Sequence, residues 1–137
     1  MVDLTTTNPV TEVPAAPAAV ALAHFGALPG LETDCSDVHA AMARPDPGFV
    51  LFDVRGPELF AAGHVPGARN LPHRRIIERN LAEFPDDTLF VVFRAGPHCN
   101  GADRAAVRLA SLGRPVKKMI GGIEGWEDEG FPLATGA

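Results

Sequence analysis

The chain holds only two thiols in 137 residues, Cys35 and Cys99, and the second has surroundings suited to chemistry. Cys99 lies in "RAGPHCNGA", between the apolar run "TLFVVF" (residues 88–93) and the helix-forming "GADRAAVRLASLG" (residues 101–113). It stands one or two residues ahead of a helix N-terminus, next to His98 and within reach of Arg94. Each of those neighbours lowers a thiol pKa, and the thiolate is the reactive form. The chemistry this allows is nucleophilic attack on a sulfur atom, which the cysteine then carries as a persulfide. Cys99 reads equally as a small apolar side chain filling a strand–helix corner. Local sequence leaves both readings open.

The segment around the thiol is composed to turn sharply and to face an anion. Gly96 and Gly101 tolerate positive φ and Pro97 fixes a bend. Arg94, Ala95, Gly96, Pro97, His98, Asn100, Gly101 and Ala102 together make the candidate substrate- or anion-binding loop. The amides of Ala102, Asp103 and Arg104 are predicted to be the unpaired donors of the new helix, a setting that favours negative charge. His98 reads either as a group that orients an oxyanion or donates a proton, or as a solvated turn residue. No metal site is predicted, because no second ligand pair sits at a workable spacing from His98 and Cys99. No cofactor is implied. The loop lacks the Gly-Lys-Ser/Thr ending of a nucleotide-binding loop. A phosphatase-type loop needs Cys, five residues, then Arg, and only four residues separate Cys99 from Arg104.

The elements that must position this loop alternate along the chain. "FVLFDV" (49–54) and "TLFVVF" are continuous apolar runs of strand length, the pattern of strands covered on both faces. "SDVHAAMA" is predicted as a helix with Ser36 as N-cap and Val38, Ala41 and Met42 on one side. "GPELFAAG" fits a short helix with Pro57 in its first turn and Gly63 ending it. "ARNLP" is a short strand. "HRRIIERNLAEF" places Ile76, Ile77, Leu81 and Phe84 at helical spacing and is predicted as an amphipathic helix. Gly113 closes the helix after the loop, with Pro115 just beyond. "VKKMI" is a strand and "EGWEDEG" a last short helix. Strands alternating with helices imply parallel pairing and right-handed crossovers, hence an α/β domain with helices on both faces.

In such a sheet ligands bind beyond the carboxyl ends of the strands, where the segment after Phe93 falls. Ahead of the domain, assigned to residues 31–137, residues 1–30 read as an N-terminal tail with a short Ala-rich helix. Met1 to Pro14, rich in Thr and Pro, is predicted to be mobile. Val20, Leu22 and Phe25 of the Ala-rich helix are predicted to lie against the outside of the domain.

Bulk composition excludes several functions. Hydrophobic residues make up 46% and charged residues 21%, an ordinary globular balance, and the net charge of −5 supplies no broad basic surface for nucleic acid. Two cysteines are too few for a disulfide framework or a four-ligand zinc site. They point to free thiols in a reducing compartment. No apolar run reaches the roughly 20 residues of a membrane span, and the N-terminus carries no basic region ahead of an apolar one. A cytoplasmic location is expected.

Three motifs in order carry a resemblance. "LFDVRGPELFAAGHVPGARNLP" resembles the first signature of the rhodanese-like domain, an aspartate-x-arginine strand end followed by Gly-His-x-Pro-Gly-Ala. "MIGGIEGWEDEGFPL" resembles its closing signature, and the strand–loop–helix around Cys99 lies between them. The resemblance covers about Thr33 to Leu133. It implies a five-stranded parallel sheet flanked by helices and, in active members, transfer of sulfur from thiosulfate or a persulfide donor to a thiol or cyanide. The expected partners are then a small sulfur-containing anion or persulfide donor, with a protein partner as a further option.

Within those motifs, Asp53 and Arg55 read as a structural ion pair, with a substrate role for Arg55 as the alternative. His64 reads as a structural turn residue. Gly121 and Gly122 suggest a turn with close backbone approach, and Trp126 an anchor for the last helix.

One departure matters. Active members place their nucleophile directly after the central strand, where this chain has Arg94; counting back from Gly113 points nearer Gly96 instead. Neither anchor delivers Cys99, so the family's catalytic cysteine maps onto no residue here. Three readings remain: Cys99 carries the sulfur with help from Arg94; the domain is a catalytically silent binding or regulatory module; or the strand-end cysteine of an active enzyme has been replaced.

Overall fold

Residues 8–137 are described in the computed structural model of the protein. Five parallel strands form one sheet: β1 (Glu32–Asp34), β2 (Val50–Asp53), β3 (Arg69–Asn70), β4 (Phe90–Phe93) and β5 (Val116–Ile120), in spatial order β1-β5-β4-β2-β3. The register pairs Asp53 with Phe93 across β2 and β4, and Val92 with Lys118 across β4 and β5. The two continuous apolar runs therefore sit at the centre of the sheet, as strands buried on both faces must.

Because side chains alternate along a strand, the sheet splits its apolar residues between two cores. Leu51, Val91, Phe93 and Met119 join Cys35 and Val38 of α3 (Cys35–Met42) and Ile123 and Trp126 of α6 (Gly122–Asp128). Phe52, Phe90 and Val92 face the other way, onto Ala102, Ala105 and Leu109 of α5 (Gly101–Ser111) and onto Ile76 and Leu81. The expected helices on both faces are present. Between β2 and β3 runs α4 (Pro57–Ala62), with Pro57 in its first turn and Gly63 just past its end.

Several local expectations are corrected. The cap of α3 is Asp34 rather than Ser36: the Asp34 carboxylate accepts the Asp37 amide at 2.8 Å, two residues earlier than the sequence suggested, and Ser36 lies inside the helix. Residues 73–84 do not form one amphipathic helix. They make two 3-10 turns, His73–Arg75 and Glu78–Leu81, broken by Ile76 and Ile77 in extended conformation. In the N-terminal region, residues 1–7 lie outside the described residues, and the predicted mobile tail is not featureless beyond them. Asn8 caps a single turn, α1 (Pro9–Glu12), by accepting the Val10 amide at 2.9 Å.

The Ala-rich segment does form a helix, α2 (Ala18–Ala27), but it is not laid on the domain. None of its residues is buried, and Val20, Leu22 and Phe25 are exposed. The helix packs on the turn that follows it, Leu28–Gly30, which leads into β1. Its sequence offers no polar stripe to choose which side faces the domain. Among the described residues, no helix is long and apolar enough to cross a membrane.

Candidate functional site

β4 delivers its last residue, the fully buried Phe93, to the carboxyl edge of the sheet, and the chain leaves through Arg94. The next two carbonyls are tied down at once. Arg94 O accepts the Ile123 amide at 2.9 Å and Ala95 O the Glu124 amide at 2.8 Å. These are first-turn amides of α6, donors that a helix leaves unpaired, so the start of the loop and the start of α6 satisfy each other. Gly122 makes the approach possible: its φ is +60°, and a Cβ there would run into the carbonyl of Arg94. The close approach expected at Gly121 and Gly122 is this one.

The loop then turns on Pro97 and His98, with the Cys99 amide donating to Gly96 O at 3.2 Å. Arg94 continues the strand alternation toward α5, and its side chain crosses Gly101. A Cβ at Gly101 would fall inside the Arg94 methylenes, so glycine at this position is what lets the arginine lie there. The guanidinium ends on the thiol: Arg94 Nη1 donates to Cys99 Sγ at 2.9 Å, and both side chains are half-buried. A guanidinium is a donor only, so the sulfur is the acceptor. A thiolate or the terminal sulfur of a persulfide would meet a fixed positive charge here.

The other loop residues divide. The amides of Gly101, Ala102 and Asp103 find no acceptor among the described residues, but the Arg104 amide is taken by Asn100 O at 3.0 Å. The predicted donor set is thus shifted by one residue. The correction follows from helix geometry: Asn100 is the N-cap, and the fourth amide after it closes the first turn. Asn100 makes no side-chain cap. His98 is exposed and makes no hydrogen bond among the described residues, so the structure does not bring it onto the thiol.

Two residues that sequence reasoning passed over border the loop. The Glu124 carboxylate lies against Gly96. His73, from the first 3-10 turn, packs beside α5, and its Nδ1 is buried with no partner among the described residues. Burial, then the charges of Arg108, Arg74, Arg104 and Arg94, hold the His73 pKa below the usual histidine value. The imidazole therefore stays neutral through neutral pH. No local pattern marks His73, since its surroundings arise only where this turn meets α5. Among the described residues no cluster of three or more His, Cys, Asp or Glu side chains is placed to hold a metal.

The flanking motifs support the wall of the site. Asp53 and Arg55 form a buried ion pair at 2.7 Å, and Arg55 Nη2 also donates to Gly63 O at 2.6 Å. His64 is buried, stacks on Phe60 at 3.7 Å between ring centroids, and has Nδ1 2.8 Å from Phe60 O. Trp126 is buried under α6 and donates to Pro132 O at 2.8 Å.

The second thiol has a different setting. Cys35 lies under the α6 turn, 3.5 Å from Ile120 O and 3.6 Å from Gly122 O. Burial first, then the carboxylates of Asp34 and Glu129, push its pKa up to about 11. A raised pKa means the folded state holds the proton more tightly than the unfolded chain does. The stability this gives is complete below the unfolded value near 9.0 and is lost as pH rises toward 11. Melting temperature is expected to fall across that window and to fall less in Cys35→Ala. A variant with the same alkaline slope as the parent would show that Cys35 is not its source.

Comparison with known proteins places this geometry. The profile of the rhodanese-like domain matches residues 34–129. The chain is 38% identical over 87 residues to the HTH-type transcriptional regulator Rv0324 of Mycobacterium tuberculosis, covering 64% of this chain but 38% of that protein. It is 37% identical over 95 residues to the thiosulfate sulfurtransferase GlpE of Pseudomonas putida, covering 67% of this chain and 81% of that one. Among solved structures, the BH2092 protein of Bacillus halodurans superposes with a TM-score of 0.81 at 31% identity, over 87% of both chains.

Proposed function

The chain belongs to the rhodanese-like domain family, and from that premise we propose that it carries sulfane sulfur on Cys99, taking it from thiosulfate or a persulfide and passing it to a thiol or cyanide. The observation that carries the reading is the 2.9 Å approach of Arg94 Nη1 to Cys99 Sγ. The Cys99 thiolate attacks the outer sulfur of thiosulfate, the S–S bond breaks, and sulfite leaves with the bonding pair. What stays on the enzyme is Cys99–S–S⁻, beside the Arg94 charge and the free amides at the start of α5. An acceptor thiol then attacks the outer sulfur; its proton passes to Cys99, which returns as a thiol, and the sulfur leaves as a persulfide anion. Thiosulfate sulfurtransferase GlpE, a relative covered over most of its length, adds support.

Position 94 itself cannot carry sulfur, because an arginine side chain has no atom that bonds it as a nucleophile. That feature favours a second reading, a catalytically silent binding or regulatory module. The similarity to part of a transcriptional regulator is consistent with it.

Intact mass after incubation with thiosulfate separates the two. Sulfur transfer predicts a gain of one sulfur atom that Cys99→Ser abolishes and Cys35→Ser leaves in place. No gain, or a gain that survives Cys99→Ser, overturns the proposal.

A further inference from the structure

Outside the loop, Arg74, Arg104 and Arg108 are exposed on α5 and on the turn packed against it. The chain as a whole has net charge −5. Yet Arg104 and Arg108 stand one turn apart on the exposed face of α5, where two like charges repel. Arg74 lies on the 3-10 turn that packs against the same helix. Among the described residues, none of these three is within ion-pair distance of a carboxylate. Asn100, Asp103, Arg104, Val107 and Arg108 line a shallow, open groove of about 430 Å³ along one face of α5, beginning where the Cys99 loop ends. The single carboxylate in that lining, Asp103, pairs with Lys118 at 2.8 Å, a lysine that also reaches Glu32 at 3.7 Å. His73, with its unpartnered buried Nδ1, feels the charges of Arg108, Arg74, Arg104 and Arg94 together. Arg69 and Arg114 are engaged, the first reaching Glu83 and the second capping three backbone carbonyls, whereas Arg44, Arg75 and Arg79 are exposed and also without an ion pair among the described residues.

We propose that the groove carrying Arg104 and Arg108 is an anion subsite that holds a small ligand carrying at least two anionic oxygen groups, phosphate or carboxylate. The forked guanidinium suits both, because it makes paired bonds to two oxygens of one group. Next to the loop, that ligand is the anionic portion of the sulfur acceptor, an identification that rests on the sulfur-transfer reading; the subsite itself does not. The placement gives the site two jobs divided by distance: Arg94 meets the sulfur, and the α5 arginines hold the part of the acceptor that does not react. Selection among thiols would then depend on charge remote from the reacting sulfur.

Calorimetric titration of the full chain with inorganic pyrophosphate, and separately with citrate, tests the subsite against sodium chloride at matched ionic strength. One equivalent of at least one of the two is expected to bind saturably. Arg104→Gln/Arg108→Gln is expected to weaken that binding about tenfold or more, since it removes both guanidiniums that would bond the anion. Arg44→Gln, away from the groove, should bind as the parent does. The bound anion should also raise the pH at which the His73 ring titrates by NMR. Pyrophosphate alone binding identifies a phosphate site, citrate alone a carboxylate site, and both a general oxyanion site. The absence of saturable binding, or a double variant that binds like the parent, overturns the proposal. Cys99→Ser should bind the anion unchanged. Binding without sulfur uptake would therefore remove only the transfer reading, and uptake without binding only the subsite.

Discussion

Arg94→Ala is expected to slow both alkylation of Cys99 and uptake of sulfur from thiosulfate by about ten- to a hundredfold. The estimate is the loss of one charge-assisted hydrogen bond, about 1.5–3 kcal/mol, converted at 1.4 kcal/mol per tenfold. The change should leave the fold in place. The links that hold the loop to α6 use the backbone carbonyls of Arg94 and Ala95, which alanine retains. The space above Gly101 opens, but no buried apolar contact is lost with the half-buried side chain. Melting temperature should therefore move little while rates move a great deal, a split that a purely structural role would not produce. Arg94→Lys discriminates further. A lysine keeps the charge but not the planar fork or its reach across Gly101, so it should recover only part of the rate. If Cys99 reacts as fast, or faster, once Arg94 is shortened, the arginine is a plug over the thiol and not its partner, and the silent-module reading gains.

Most of the α/β frame was legible because the signals were local and strong. "FVLFDV" and "TLFVVF" could only be strands covered on both sides, and they occupy the middle of the sheet as β2 and β4. Gly113, at φ +75°, ends α5 where the sequence placed the stop. The misread segment shows where such reasoning fails. Ile76, Ile77, Leu81 and Phe84 have helical spacing, yet only Ile76 and Leu81 become fully buried, and Ile77 turns outward. Side chains take the place of helical pairing: Asn80, within the segment, donates to the Arg75 carbonyl that a helix would have paired, and Arg114 donates to the carbonyls of Leu81, Phe84 and Pro85 at the segment's end.

The geometry of the candidate loop was legible in part. Composition marked the loop, its glycines and Cys99, and the reach of Arg94 was foreseen. Its path was not, because it depends on Gly101 being brought under a side chain seven residues earlier. His73 and Glu124 enter only through packing of a 3-10 turn and of α6 around the loop. Periodicity cannot report either contact.

Asp53→Ala is expected to be the most damaging single change to stability, by about 3–5 kcal/mol, the usual cost of leaving one member of a buried ion pair without its partner. Asp53 is 0% and Arg55 6% exposed. The Asp53 carboxylate receives Arg55 Nε at 3.0 Å, Nη2 at 2.7 Å and the Arg55 backbone amide at 3.0 Å. Alanine removes the acceptor of all three donors and leaves the guanidinium with Gly63 O among its described contacts. Against a total stability of about 5–15 kcal/mol for a domain, that loss is large enough to unfold a sizeable fraction of the protein on mild heating. The position also connects to the site: Asp53 ends β2 beside Phe93, and the Val54 amide donates to Phe93 O at 3.1 Å, one residue before Arg94. Equilibrium urea unfolding provides the measurement. Asp53→Ala/Arg55→Leu should recover part of the loss, since it removes the orphaned charge as well as its partner, and the two changes should be strongly non-additive. An Asp53→Ala protein within 1 kcal/mol of the parent would mean that Arg55 finds water or another acceptor on its own. The pair would then be a bystander to the loop wall, not its fastening.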